Sequence, residues 1–218
     1  CTAIKNISLE DNAIKLTSSN NISSKFDVVI STIPLPIVGK ILDERSFTFN
    51  LKRNYLDQIS IPCVCVIFKT KKKITNNFWT NINDERFLIP GIIEFSNLTN
   101  IKPHITYVPF YMPKDLKEYS DSDEMFISKS IECLMAINKN FEKKDIIDVY
   151  CSRYEFAQPI SKVNHFQNLP PINPVKNLWT IDTSIYYPED RGISESIDYG
   201  RKLVKKILES FEKDANKE

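Results

Sequence analysis

The stretch Asn177-Leu178-Trp179-Thr180-Ile181-Asp182-Thr183-Ser184-Ile185-Tyr186-Tyr187-Pro188-Glu189-Asp190-Arg191-Gly192-Ile193-Ser194-Glu195-Ser196-Ile197, followed by Gly200, decides the fold of this chain. Asn177 to Ile181 is a short apolar run that reads as a buried strand. Asp182 to Gly192 is polar and carries turn chemistry. From Ser194 to about Phe211 the apolar positions Ile197, Val204, Ile207, Leu208 and Phe211 recur at helical spacing. Gly200 falls on that same face, where glycine costs about 1 kcal/mol of helix propensity relative to alanine. Its presence implies close approach by something else. A strand, a loop ending in glycine and a helix N-terminus together attract negative charge, because unpaired N–H groups and the helix dipole both point that way. Chemistry alone leaves this unit open to a purely structural role.

Working outward, the flanking segments alternate sheet and helix patterns. Ala3 to Leu9 and Ala13 to Leu16 alternate apolar with polar residues around the turn residues Glu10, Asp11 and Asn12, which reads as a β-meander. Phe26 to Thr32 is a β-branched run too apolar for an edge strand. Pro34 and Pro36 end it, since each removes a backbone donor and fixes φ. Ile59 to Phe68, the region of Phe78 to Ile82, Gly91 to Phe95, Ile105 to Met112 and Ile146 to Phe156 read as further strands. Asp121 to Glu124 opens an amphipathic helix carrying Ile127, Ile131, Leu134 and Met135, with Asp121 as N-cap. Pro170, Pro171 and Pro174 make the approach to Asn177 an extended crossover.

Composition narrows the function classes. The 218 residues carry 29 Lys and Arg against 28 Asp and Glu, a formal charge of +1. No global basic field exists to hold nucleic acid. No stretch approaches the roughly 18 consecutive apolar residues that a membrane span requires, and no signal peptide is visible, so the chain reads as cytoplasmic. Only four glycines occur, so no phosphate-cradling G-x-G-x-x-G loop is present. The five cysteines and two histidines are scattered. Cys63 and Cys65 read as small buried hydrophobes on a strand, and neither a disulfide framework nor a metal cluster follows.

The run from Asn177 to Ile197 with Gly200, and above all its Tyr187-Pro188-Glu189-Asp190-Arg191-Gly192 core, resembles the C-terminal flavin-contacting segment of FAD-dependent amine-oxidase-like oxidoreductases. The similarity is to a bacterial protoporphyrinogen-oxidase-like subgroup associated with surface-polysaccharide genes, and to UDP-galactopyranose mutase. Asp27 to Pro34, Trp79 to Asp84 with Ile92 to Leu98, and Tyr154 to Ile160 match the same subgroup. The resemblance implies an α/β fold, the C-terminal half of a Rossmann-like FAD-binding domain with an inserted sheet-plus-helix substrate domain. Residues 1–45 and 165–218 would belong to the flavin domain and 46–164 to the substrate domain.

The resemblance further implies FAD as cofactor. Thr32 and Pro34 would lie near its adenosine and pyrophosphate half, and Asp182, Thr183 and Ser184 along the ribityl chain. Arg191, Gly192 and Ile193 would bring the helix end to the pyrimidine edge of the ring. Asp182 stands where relatives usually have glycine, and Ser184 where many have an acid. Trp79, Tyr154, Gln158 and Tyr187 are the implied contacts to a small-molecule substrate, with hydride passing to flavin N5. No catalytic residue is singled out. The expected partner is a missing N-terminal half carrying the glycine loop, without which the chain should bind FAD poorly. A flavin-dependent sugar-nucleotide mutase and a flavin-free binding module are the alternatives; the mutase calls for an arginine cluster, whereas six scattered arginines occur.

Overall fold

In the computed structural model, which describes residues 2–11 and 13–215, the chain starts in one compact unit, passes through a second and returns to the first. The first unit comprises Cys1–Ile59 and Pro159–Glu218, the second Ser60–Gln158. These crossings lie at 59/60 and 158/159, where the resemblance implied boundaries near 45 and 164. The displaced boundary has a local cause, a helix at Phe49–Leu56 that packs back on the first unit.

Strands β1 (Ile4–Glu10) and β2 (Ala13–Ser18) form the expected hairpin, and β3 (Ser23–Phe26), from a stretch too polar to read as a strand, pairs antiparallel with β2 to complete a three-stranded meander. Their alternation buries Ile7 and Ile14. The run from Phe26 to Thr32 is not one strand. Phe26 pairs with Ile14 in the meander, whereas β4 (Val29–Ser31) pairs with a strand near the C-terminus. The chain cannot serve both sheets without turning between them. Pro34 and Pro36 then begin a helix, α1 (Leu35–Ile41), since proline suits a first turn that lacks donors' partners anyway. Helix α2 (Phe49–Leu56) starts at Thr48, whose hydroxyl accepts from the Leu51 N–H at 3.3 Å. The two helices cross tightly at buried Gly39, where an added Cβ would lie 2.8 Å from Tyr55 Cβ.

In the second unit, β5 (Ser60–Thr70), β6 (Trp79–Asn81), β7 (Gly91–Glu94), β8 (His104–Tyr111) and β9 (Ile146–Pro159) form one sheet in the order β6-β7-β8-β5-β9. A short helix α3 (Ser96–Thr99) follows β7, and α4 (Asp123–Ile137) precedes β9. Ser122, not Asp121, caps α4 by accepting from the Met125 N–H. Val64, Val66, Phe68, Ile92, Val108 and Phe110 pack with Phe126 and Leu134 of α4 into a closed core. Cys63 is buried in β5, and burial pushes the Cys65 thiol up to about 12. That is the behaviour of packing cysteines.

The return to the first unit runs through the proline-rich crossover to β10 (Leu178–Thr180), which pairs in parallel with β4 through Leu178–Val29 and Thr180–Ser31. A single 3₁₀ turn at Thr183–Tyr186 and a loop lead into α5 (Ile193–Ala215). Leu178 and Val29 face the core of the meander, α1 and α2, while Trp179, Ile181 and Val28 face Leu203 and Ile207 of α5. The helix therefore does not bury its whole apolar arc. Ile207 packs inward as expected, but Ile197, Val204, Leu208 and Phe211 are exposed.

Candidate site at the carboxyl ends of β4 and β10

Two adjacent parallel strands end together in the first unit, and open α/β sheets bind ligands beyond such ends. The turns that leave β4 and β10 are tied by Asp182. Its Oδ2 accepts from the Leu35 N–H at 2.9 Å, and its Oδ1 accepts from the Ser184 N–H at 2.9 Å and from the Ser184 hydroxyl. One carboxylate thus joins the start of α1 to the 3₁₀ turn after β10. Asp182 is a structural clamp.

Ser184 is buried, and its carbonyl oxygen lies 2.6 Å from His165 Nε2. The His165, Phe166 and Tyr187 rings meet in a triangle with centroids 5.6 to 5.9 Å apart. This cluster braces the loop that carries Thr183 and Tyr187. Below it, the Tyr55 hydroxyl lies 2.7 Å from Thr180 Oγ1, and burial pushes the phenol up to about 12 against the opposing pull of that hydrogen bond. Tyr55 therefore remains a neutral hydrogen-bonding strut under the end of β10. Neither His165 nor Tyr55 carries a sequence signal for this role, because both partners lie far off in the chain.

The start of α5 differs from the simple anion-seeking end. The Gly192 N–H donates to the Asp190 carbonyl at 2.9 Å, and Ser196 donates back to the Gly192 carbonyl. Glu195 folds over Gly192 so closely that an added Cβ would lie 1.9 Å from Glu195 Oε2. A side chain there would have to displace the Glu195 carboxylate. Glu195 stands three residues after Gly192, the spacing of a capping box.

Around the strand ends, Thr32, Tyr187, Arg191 and Ile193 are exposed, Ile193 to 83%, while Pro34, Asp182, Thr183 and Gly192 are half-buried. Thr32, Pro34, Asp182 and Thr183 follow the ends of β4 and β10, while Tyr187, Arg191, Gly192 and Ile193 lie further along the loop that enters α5. Of the implied substrate contacts, Tyr187 belongs to this unit, while Trp79, Tyr154 and Gln158 lie in the other. Trp79 is exposed on β6, its indole N–H donating to Asn81 Oδ1 at 2.5 Å. Tyr154 is exposed on β9, edge-on to Phe156 at 6.4 Å. β6 and β9 are opposite edges of the five-stranded sheet, so Trp79 and Tyr154 lie on strands four spacings apart, about 19 Å across a flat sheet.

Neither a protein-family model nor a curated protein matches this sequence. Solved structures do match. A protein of Exiguobacterium sp. 255-15 that carries the provisional name protoporphyrinogen oxidase aligns with a TM-score of 0.73 at 16% identity, over 94% of this chain and 46% of its own. Cyclohexylamine oxidase from Brevibacterium oxydans aligns at 0.69 and 12% identity, over 96% and 48%. Reduced UDP-galactopyranose mutase aligns at 0.61 and 14% identity, over 81% and 40%. The fold is thus that of the FAD-dependent amine-oxidase-like proteins. The chain spans about half the length of the structures it matches.

The strand-end residues suit part of an FAD molecule. Exposed Thr32, Tyr187, Arg191 and Ile193 can flank a flat ring system, and Gly192 leaves room for it once Glu195 swings outward. The first turn of α1 offers a diphosphate no free backbone donor. In the first turn of α1 the Leu35 N–H is taken by Asp182, Pro36 has none, and the Ile37 N–H donates to the Pro34 carbonyl at 2.9 Å.

Proposed function

We propose that this chain forms the ring-side portion of a flavin enzyme's FAD domain together with a substrate-side unit inserted into it. The observation that carries the reading is the Asp182 clamp, which holds the ends of two parallel strands at a fixed spacing and leaves Thr32, Arg191 and Ile193 open around them. When bound, FAD would supply the chemistry, accepting hydride at N5 from an organic substrate. Thr32 and Pro34 would border the cofactor on the β4 side, and Asp182, Thr183 and Ser184 on the β10 side, with Asp182 acting through its hold on the backbone. Arg191, Gly192 and Ile193 would line the ring edge, where a positive helix end favours charge on the reduced ring. Trp79, Tyr154, Gln158 and Tyr187 are proposed substrate contacts, and the surface-polysaccharide setting is a proposal of the same kind. Among the described residues no helix is long and apolar enough to cross a membrane.

A sugar-nucleotide mutase would need arginines gathered on a diphosphate. Arg53, Arg86 and Arg153 are instead paired with Asp57, Asp84 and Asp123, which favours the oxidoreductase. Anaerobic reduction of the flavin in the native-length protein by amines, reduced porphyrins or sugars tests the reading. Bleaching of the flavin band by one such class supports it; turnover of a sugar nucleotide with no net electron flow overturns it. Phosphate donors absent from these residues imply that the 218-residue chain alone binds FAD weakly. A titration giving a submicromolar Kd for the isolated chain would reverse that conclusion.

A further inference from the structure

The lysine-rich run that ends β5 takes no part in the proposed flavin chemistry. Residues 69–77, 95–103 and 138–145 form three loops at one end of the second unit's sheet. It is the end away from Ser60 and Gln158, where the chain enters and leaves the unit, and the 11 residues of β5 put it about 35 Å along that strand. The loops are tied to one another. His104 pairs with Thr70 across β8 and β5. Asn97 Nδ2 donates to the Thr75 and Asn77 carbonyls at 2.9 and 3.0 Å, Asn138 Nδ2 to the Lys73 carbonyl at 3.2 Å, and the Lys71 N–H to the Asp145 carbonyl at 2.8 Å.

Positive charge collects on this surface. Lys69 and Lys71 to Lys73 lie in the first loop, Lys102 in the second, and Lys139, Lys143 and Lys144 in the third. These are eight of the chain's 29 basic residues against two of its 28 acids, Glu142 and Asp145, so this end is strongly positive while the remainder of the chain is net negative. Both acids are already paired, Asp145 with Lys72 at 3.0 Å and Glu142 with Lys144 at 2.8 Å. Asp148, just inside β9, lies close enough to Lys69 to feel its charge. Lys71, Lys102, Lys139 and Lys143 stand exposed with no carboxylate partner among the described residues, the Lys71 ammonium donating instead to the Lys144 carbonyl at 3.0 Å.

Two aliphatic side chains protrude beside the lysines. Leu98 is 66% and Ile101 42% exposed, on either side of Asn100, whose left-handed backbone at φ 53° turns the chain between them. A positive field alone would suit any polyanion. No arginine lies in these loops, whereas base recognition leans on the bidentate arginine fork, and bare aliphatic side chains gain nothing against a sugar–phosphate backbone. A lysine surface with protruding leucine and isoleucine suits an anionic bilayer, whose phosphates attract the lysines and whose interface takes in the aliphatic residues.

We propose that this end of the second unit docks on an anionic lipid bilayer, with its lysines on the headgroup phosphates and Leu98 and Ile101 in the interface below them. Docking is peripheral and reversible. Each lysine near such a surface contributes about fivefold in affinity, and the two aliphatic side chains add a part that salt does not screen. The proposal does not rest on the flavin reading.

Cosedimentation of the full chain with lipid vesicles tests it. At about 50 mM NaCl, vesicles of phosphatidylcholine with about 30% phosphatidylglycerol should bind at least roughly tenfold more tightly than vesicles of phosphatidylcholine alone, and most of that binding should be lost at about 500 mM. Equal binding to both vesicles, or none to either, overturns the proposal. Lys71→Glu combined with Lys102→Glu and Lys143→Glu should weaken binding by at least roughly tenfold, and Leu98→Ser combined with Ile101→Ser by roughly threefold. Lys205→Glu combined with Lys206→Glu, the same change of charge sign made on α5, should leave binding within about twofold; a loss as large as that from the three loop substitutions would reduce the effect to net charge and overturn the site. Circular dichroism identifies any variant that fails to fold, and a folded loop variant that binds unchanged overturns the proposal as well. A short duplex RNA that binds more tightly than the anionic vesicles, and is indifferent to the Leu98 and Ile101 substitutions, makes nucleic acid the occupant and overturns the lipid assignment.

Discussion

The two units solve the problem of burying a sheet differently. In Ser60–Gln158 the five strands lay one face under α4, and Val64, Val66, Phe68, Ile92, Phe110 and Phe126 are all but inaccessible. In the other unit two strands support a helix of 23 residues that buries Leu203 and Ile207 and leaves five large apolar residues of one flank in solvent. The difference teaches that the inserted unit carries its own stability. The unit bearing the candidate site leaves one apolar flank of its last helix exposed.

If so, the largest mutational effect belongs to the closed core. Phe126→Ala removes a ring packed edge-on against Phe110 at 5.0 Å, and should cost about 3–5 kcal/mol. Urea unfolding followed by circular dichroism checks this, and a loss below about 1 kcal/mol would mean that the second core is as loose as the first unit's surface.

Asp182→Ala comes next. It strips acceptors from the Leu35 N–H, the Ser184 N–H and the Ser184 hydroxyl at once, for an expected loss of about 2–3 kcal/mol in the first unit. The fluorescence of buried Trp179, read in a Trp79→Phe background, reports on that unit, and the native-length variant should lose bound FAD. Asp182→Asn, which keeps one carbonyl acceptor, should fall between the variant and the unaltered protein. A smaller loss, about 1 kcal/mol by the same probe, is expected of Tyr55→Phe, which deletes the hydroxyl bonded to Thr180 at 2.7 Å.

The smallest effect is electrostatic and confined to the second unit. The Asp145 carboxylate accepts from the Glu142 N–H at 3.0 Å and pairs with Lys72 at 3.0 Å. The backbone hydrogen bond foremost, with help from Lys72, holds the carboxyl below its ordinary 3.8. A depressed folded value means that the contribution is complete above 3.8 and is lost as pH falls through the folded value. In unfolding measured across pH, Asp145→Asn should therefore destabilise the second unit slightly above about pH 5, with the difference from the unaltered protein shrinking as pH falls through the folded value; a difference equal at all pH values would refute an electrostatic origin.

Much of the architecture was legible because it rests on local periodicity. The meander, the five strands of the inserted unit, the strand at Leu178 and the last helix each carry their own pattern of alternation or helical spacing. Helix α2 was not legible: Phe49 to Leu56 lacks an apolar stripe and buries only Tyr55. The break at Asp27 also escaped, since a single polar residue in a β-branched run does not by itself mark a change of sheet. Within the candidate site, Gly192 was evident from its place before the helix. The roles of Asp182, His165 and Tyr55 depend on partners 147, 19 and 125 residues away in sequence.

By itself the sequence determined the order and type of the elements, the absence of a glycine-rich phosphate loop and the apolar arc of α5, because propensity and periodicity act over a few neighbouring residues. Only the tertiary structure decided that Asp182 is a clamp, that Glu195 closes over Gly192 and that half of the α5 arc remains bare. Those outcomes turn on which distant segments come together and which surfaces find no partner, and no local pattern encodes either.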